Sequence, residues 1–241
     1  RISDAAAAAR DGDIVEIQPG EYRGDVAIWS QRQLTIRGLG AKPGQRPLLL
    51  ADGWLGLIGA APEARRFYAE LEKDPAFQQA GSWKDIDIKQ FDALILPGGH
   101  AAPTRQFLGS EILQTKTREF FALERPVGAI CHGVLVAARA NVLRGRKTTC
   151  LPKYMERAGY FLTAWKLGRH YRTYPEYVED EVRGALAHPS DFIRGPIHLM
   201  SRGTEQDDAS AFVVEDRNYV SARWPGDAYL FAKTVLRRLK P

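Results

Sequence analysis

The stretch Val127-Gly128-Ala129-Ile130-Cys131-His132-Gly133 constrains the fold of this chain more than any other. Residues 127–130 form an apolar run with the character of a buried strand, and residues 134–140 have the pattern of the helix that follows. A strand that turns into a helix this abruptly leaves no room for large side chains beside the turn. Ala129 and Gly133, two residues before and two after the cysteine, are small, as such an elbow requires. The turn lifts the sulfur to the carboxyl end of the sheet, where open α/β folds place their sites. It also puts Cys131 at a helix N-terminus, whose partial positive charge favours thiolate over thiol. The competing interpretation, a buried structural cysteine, suits the residue type but not this small-Xaa-Cys-His-Gly context.

A second element precedes the first by one strand. Residues 91–96 are a near-continuous apolar run, predicted to be a buried parallel strand, and they end in Pro97-Gly98-Gly99-His100. The paired glycines let the backbone approach a ligand, and an amide there can join that of His132 as an oxyanion hole. His100 is either a residue of this site or a solvated loop histidine. Around these elements helices and strands alternate. Ala64, Phe67, Tyr68 and Leu71 share a helical face after Pro62. Ser110 caps a helix to about residue 123, with Ile112, Leu113, Phe120 and Phe121 inward. Thr148-Thr149-Cys150 makes a short strand, and Pro175 opens a helix ending near Leu186. Strands at 211–214 and 219–222 lead to a last helix from Pro225 that buries Ala228, Phe231, Ala232, Val235, Leu236 and Leu239. This alternation predicts an α/β fold with a doubly wound sheet over residues 54–241.

Residues 1–53 differ in kind. After a short alanine-rich helix with Ser3-Asp4 at its start, short β-prone bursts such as Ile14-Val15-Glu16-Ile17 and Leu34-Thr35-Ile36 alternate with Gly and Pro. Arg10-Asp11-Gly12-Asp13-Ile14-Val15-Glu16-Ile17-Gln18-Pro19-Gly20-Glu21-Tyr22, with Leu34-Thr35-Ile36-Arg37-Gly38, resembles the N-terminal coil of a pectate-lyase-like right-handed parallel β-helix. Two coils are too few for a solenoid, which buries its faces only by stacking. The segment is therefore expected to be a β-rich appendage without a cleft or lyase activity.

Composition narrows the function classes. With 34 basic and 29 acidic residues interspersed, the net charge is +5, and Arg144, Arg146 and Lys147 have no aromatic platform beside them, so no nucleic-acid partner is expected. Two cysteines make no disulfide scaffold, and no run of 18 apolar residues exists to span a membrane. Without a basic-then-apolar leader, a cytoplasmic location is expected. His170, His198, Asp207 and Asp208 lack metal-site spacing, and His188-Pro189-Ser190 is expected to be a surface turn. Trp165, Tyr171, Tyr174 and Tyr177 are expected to be core or dimer contacts.

Taken together, Phe91-Asp92-Ala93-Leu94-Ile95-Leu96-Pro97-Gly98-Gly99-His100 and Pro126-Val127-Gly128-Ala129-Ile130-Cys131-His132-Gly133 resemble the ThiJ/PfpI family of the class I glutamine amidotransferase-like superfamily, over residues 54–240. The resemblance implies a flavodoxin-like fold, a homodimer, no cofactor or metal, and a small carbonyl or amide substrate of glyoxalase, deglycase or amidase type. It implies catalytic roles for Cys131 and His132. It places Gly98, Gly99, His100, Gly133 and Trp224, in the loop before the last helix, around the substrate. The family's first strand, whose loop supplies a glutamate that hydrogen-bonds the cysteine, has no counterpart here, and Glu16 and Glu21 match no family motif. Two other functions therefore stand beside an enzyme: a redox-sensing or holdase protein, and an inactive recombined relative.

Overall fold

In the computed structural model, residues 1–23, 35–39, 48–50, 62–78, 81–99, 104–169, 172, 174–197 and 201–239 are described. They divide into two compact units, Arg1–Gly81 and Ser82–Pro241. The first begins with helix α1 (Ile2–Ala8), whose N-cap is Arg1 rather than Ser3 or Asp4. Strands β1 (Ile14–Ile17) and β3 (Thr35–Gly38) pair in parallel, as do β2 (Glu21–Arg23) and β4 (Leu48–Leu50). Helices α2 (Pro62–Leu71) and α3 (Pro75–Gln78) follow. The shared face of α2 is not buried: Phe67, Tyr68 and Leu71 are all exposed, and Tyr68 meets Phe77 edge to face at 6.3 Å.

The second unit is a mixed α/β fold built on one four-stranded sheet, the α/β class the alternation predicts and the flavodoxin-like kind the family resemblance implies. In order across the sheet run β5 (Leu94–Leu96), β6 (Val127–Ile130), β8 (Tyr219–Ala222) and β7 (Val213–Asp216). The first three are parallel, and β7 closes the far edge antiparallel to β8. Strand β5 is shorter than the apolar run, and ahead of it the carbonyls of Lys89 and Phe91 accept from Arg125. Between β5 and β6 lie α4 (Thr104–Gly109) and α5 (Glu111–Ala122), the latter capped by Ser110 Oγ, which accepts from the Leu113 amide at 3.2 Å. Leu113, Thr117, Phe120 and Phe121 are buried at helical spacing, whereas Ile112 falls on the polar side with Lys116 and Glu119 and is exposed.

Alternation along β6 separates the two cores. Val127 and Ala129 face α5 and α6 (Val134–Arg139) in the larger cluster, which also holds Leu108, Leu135 and Tyr219. Gly128 faces α9 (Ala228–Leu239), where an added Cβ would lie 2.6 Å from Phe231 Cζ, so the missing side chain is what admits the helix. Val220, Ala222, Phe231 and Val235 complete that smaller core. Helix α9 turns Phe231, Thr234 and Val235 onto β6 and β8, and Ala228, Ala232, Leu236 and Leu239, expected inward, are exposed. Between β6 and β7 the chain makes a helical excursion, α7 (Lys153–Leu167) and α8 (Val178–Gly184). Thr148 bridges Phe192 singly instead of forming a strand, and α8 starts beyond Pro175 with Tyr177 as N-cap. Among the described residues no helix is long and apolar enough to cross a membrane.

The loop after β8 is held by a buried ion pair. Arg223 donates to both oxygens of Asp227 (2.9 and 2.8 Å) and to the Pro196 carbonyl (2.7 Å), while Asp227 also accepts the Phe212 and Arg223 amides. Both side chains are at most 1% exposed. Removing one partner would strand the other charge inside. Asp227→Ala is therefore expected to lower the unfolding free energy by about 3–5 kcal/mol in urea titrations. Glu215→Ala, which breaks surface pairs with Arg237 and Arg238, should lower it by less than about 1 kcal/mol.

Candidate functional site

Cys131 sits where β6 becomes helix, at φ +60°, the left-handed region that a non-glycine residue seldom occupies. A 3-10 turn, Cys131–Gly133, leads directly into α6. The turn fits only because of its neighbours. A Cβ on Gly133 would lie 2.1 Å from the Leu96 carbonyl oxygen and 2.5 Å from that of Pro97. A Cβ on Gly98 would lie 2.6 Å from Cys131 Cβ and 3.2 Å from Sγ. The end of β5 and the elbow are thus pressed together, which is why glycine stands on both sides of the contact.

The sulfur is nearly enclosed, with Cys131 8% exposed. His132, itself buried, places Nδ1 3.4 Å from Sγ. The backbone amides of His132 and Gly99 donate toward the sulfur. Even so, burial pushes the Cys131 thiol up to about 12, the negative charges of Glu156 and Asp227 add to the rise, and the two amides only oppose it. The resting sulfur is therefore a neutral thiol. This differs from the thiolate expected at a helix N-terminus, because α6 is only six residues long and desolvation outweighs its dipole.

Two groups come to the elbow from the helical excursion. Tyr174 is buried with its ring 5.4 Å from that of His132, at 45°. Glu156 on α7 is also buried, accepts the Val178 amide at 3.0 Å and lies 3.9 Å from Arg172 Nη1; burial raises its pKa. No motif marks either residue, since both meet the elbow only through the fold of residues 150–178. Among the described residues no carboxylate hydrogen-bonds Sγ, and no group of three His, Cys, Asp or Glu side chains is arranged to hold a metal ion.

The structure brings Gly98, Gly99, Cys131, His132 and Gly133 together. Trp224 lies two residues beyond the end of β8, buried, with its indole against Gly226 and under the Arg202 guanidinium at 5.2 Å. His188 is exposed and opens a surface 3-10 turn at Pro189–Asp191. Trp165 is 73% exposed and so is not a core residue. His100, His170, Tyr171 and His198 lie outside the described residues. A cleft lined by Glu124, Pro126, Arg146, Arg217, Asn218 and Arg238 lies at the opposite ends of β6 and β8 from the sulfur.

Comparison with known proteins gives this geometry a context. The DJ-1/PfpI family profile matches residues 70–238. A deglycase of Pyrococcus abyssi is 28% identical over 159 residues, which are 66% of this chain and 69% of the relative. A deglycase of Pyrococcus horikoshii is 30% identical over 155 residues, 64% of this chain and 66% of the relative. The match thus spans about two thirds of these relatives' length. In three dimensions, a rapid encystment protein of Francisella tularensis superposes with a TM-score of 0.57 at 20% identity, covering 86% of this chain and 83% of that one. Glyoxalase III of Candida albicans superposes with a TM-score of 0.55 at 18% identity, covering 80% of each chain. At these identities the superpositions show the fold.

The buried thiol ties stability to pH. Below the ordinary value of 9.0, folded and unfolded chains both keep the proton; between it and about 12 only the unfolded chain releases it, so folding weakens as pH rises. Urea titrations across that window should show the wild type losing stability faster than Cys131→Ala, by up to about 1.4 kcal/mol per pH unit. Parallel losses in the two proteins would show an ordinary thiol.

Proposed function

The chain belongs to the DJ-1/PfpI family, and from that premise we propose that it is a cysteine-dependent enzyme acting on small carbonyl compounds, of the deglycase or glyoxalase kind. The observation that carries this is Cys131 on its elbow at positive φ, with His132 Nδ1 at 3.4 Å and two amides facing the sulfur. Cys131 and His132 are the catalytic pair. Gly98, Gly99 and Gly133 shape the substrate side, with Trp224 and His100 completing it.

Because the thiol is neutral at rest, attack and deprotonation go together. His132 Nδ1 takes the thiol proton as sulfur forms a bond to the aldehyde carbon, and the carbonyl π pair moves onto oxygen. The amides of Gly99 and His132 stand beside the developing oxyanion. The imidazolium then returns the proton to that oxygen, giving a hemithioacetal with no oxidant or cofactor consumed. A neutral buried thiol also favours this reading over redox sensing, since it is the thiolate that attacks peroxide and no base-coupled step is needed for sensing alone.

The proposal extends to organisation. Residues 1–53 are two coils of a right-handed parallel β-helix and residues 54–241 the family domain; the parallel pairs β1 with β3 and β2 with β4 support the coils. The protein works in the cytoplasm as a homodimer, which would cover part of the exposed Phe161, Leu162 and Trp165 on α7.

Turnover of methylglyoxal tests the enzymatic reading. Cys131→Ala should reduce it to the uncatalysed rate, and His132→Ala should lower kcat/KM by about 10²–10⁴-fold. Equal rates in wild type and Cys131→Ala would overturn it.

A further inference from the structure

We propose that Tyr174 is a substrate-binding residue of this site, its phenol hydroxyl donating a hydrogen bond to an oxygen on the carbon next to the one that Cys131 attacks. The inference rests on Cys131 being the nucleophile and narrows the substrate to compounds with vicinal oxygens, 2-oxoaldehydes among them.

Two observations converge on this hydroxyl. Tyr174 is 6% exposed, yet its Oη has no hydrogen-bond partner among the described residues. Buried hydroxyls are nearly always bonded, and one that is not invites a ligand or water. The other buried polar atoms in this condition are on Thr117, Thr149, Tyr154 and Arg172, whereas the Tyr174 ring packs against the ring of the elbow histidine. That contact, 5.4 Å between centroids, puts the Tyr174 ring beside the imidazole whose Nδ1 faces the sulfur.

The hydroxyl is also in the right protonation state. Burial pushes its pKa up to about 12; Arg105 and Arg139 oppose the rise, and Glu156 and the Cys131 sulfur add to it. It is therefore a donor throughout the physiological range, and the sulfur lies within its electrostatic reach. The amides of Gly99 and His132 face the sulfur, and in the proposed reaction they are engaged by the oxygen of the attacked carbon. A donor beside the histidine ring has the neighbouring atom left to bind.

Alkylation of Cys131 tests this without requiring turnover. Iodoacetamide carries a carbonyl oxygen on the carbon beside the attacked one, and iodoethane does not. In each case the S–C bond forms, iodide leaves and the thiol proton passes to His132. Labelling rates at Cys131, followed by peptide mass spectrometry in the full chain, give the ratio of the two probes. Tyr174→Phe should lower that ratio about tenfold, leave the iodoethane rate unchanged and lower kcat/KM for methylglyoxal to a similar extent. Because it removes an unpartnered buried hydroxyl, it should not lower the melting temperature. Should the variant not fold, uniform 3-fluorotyrosine, a stronger donor of nearly the same shape, should raise the ratio. An unchanged ratio overturns the role of Tyr174. A lowered ratio without methylglyoxal turnover in the wild type keeps that role and overturns the enzymatic reading. Failure of both probes to label the wild type at Cys131 overturns both.

Discussion

The carbonyls of Leu96 and Pro97 press so closely on Gly133 that one added methyl group would overlap them. Much of the second unit follows from that contact. It brings the end of β5 against the start of α6, and with Gly98 it leaves Cys131 a single left-handed conformation in which to make the turn. Gly128, three residues before the sulfur, lets α9 lie on the opposite face of the same strand. One short strand therefore carries both cores and the site, and its small residues are as consequential as its cysteine.

Electrostatics at the elbow follow from enclosure more than from dipoles. Two amides face the sulfur, but they and a short helix cannot offset the loss of water, to which two nearby carboxylates add. A reaction at this sulfur would accordingly need a proton acceptor at hand, and His132 Nδ1 lies 3.4 Å away. Nearby, Arg223 and Asp227 show how a charge survives burial: the aspartate has four donors around it and the arginine a carbonyl besides.

The features legible in the sequence were those set by neighbours along the chain. The elbow, the paired glycines and the Ser110 cap are steric or hydrogen-bonding demands met within a few residues, and each is found where its residues predict. Expectations that depended on distant packing fared differently. The exposure of Ile112, Leu236 and the face of α2 reflects which surfaces the fold covers, and amphipathic spacing alone does not report that. The neutral state of the thiol is likewise a matter of enclosure. Tyr174, grouped by its sequence with core or dimer aromatics, reaches His132 only because residues 150–178 fold back over the elbow.

The backbone at Cys131 has one more consequence. An L-residue with a side chain held in the left-handed region costs a fold about 1–2 kcal/mol, a cost that glycine escapes. The residue at the centre of the candidate site is thus one its folding would do better without. Glu124, Asn141 and Arg217 share the left-handed region, and for stability alone glycine would serve at all four positions.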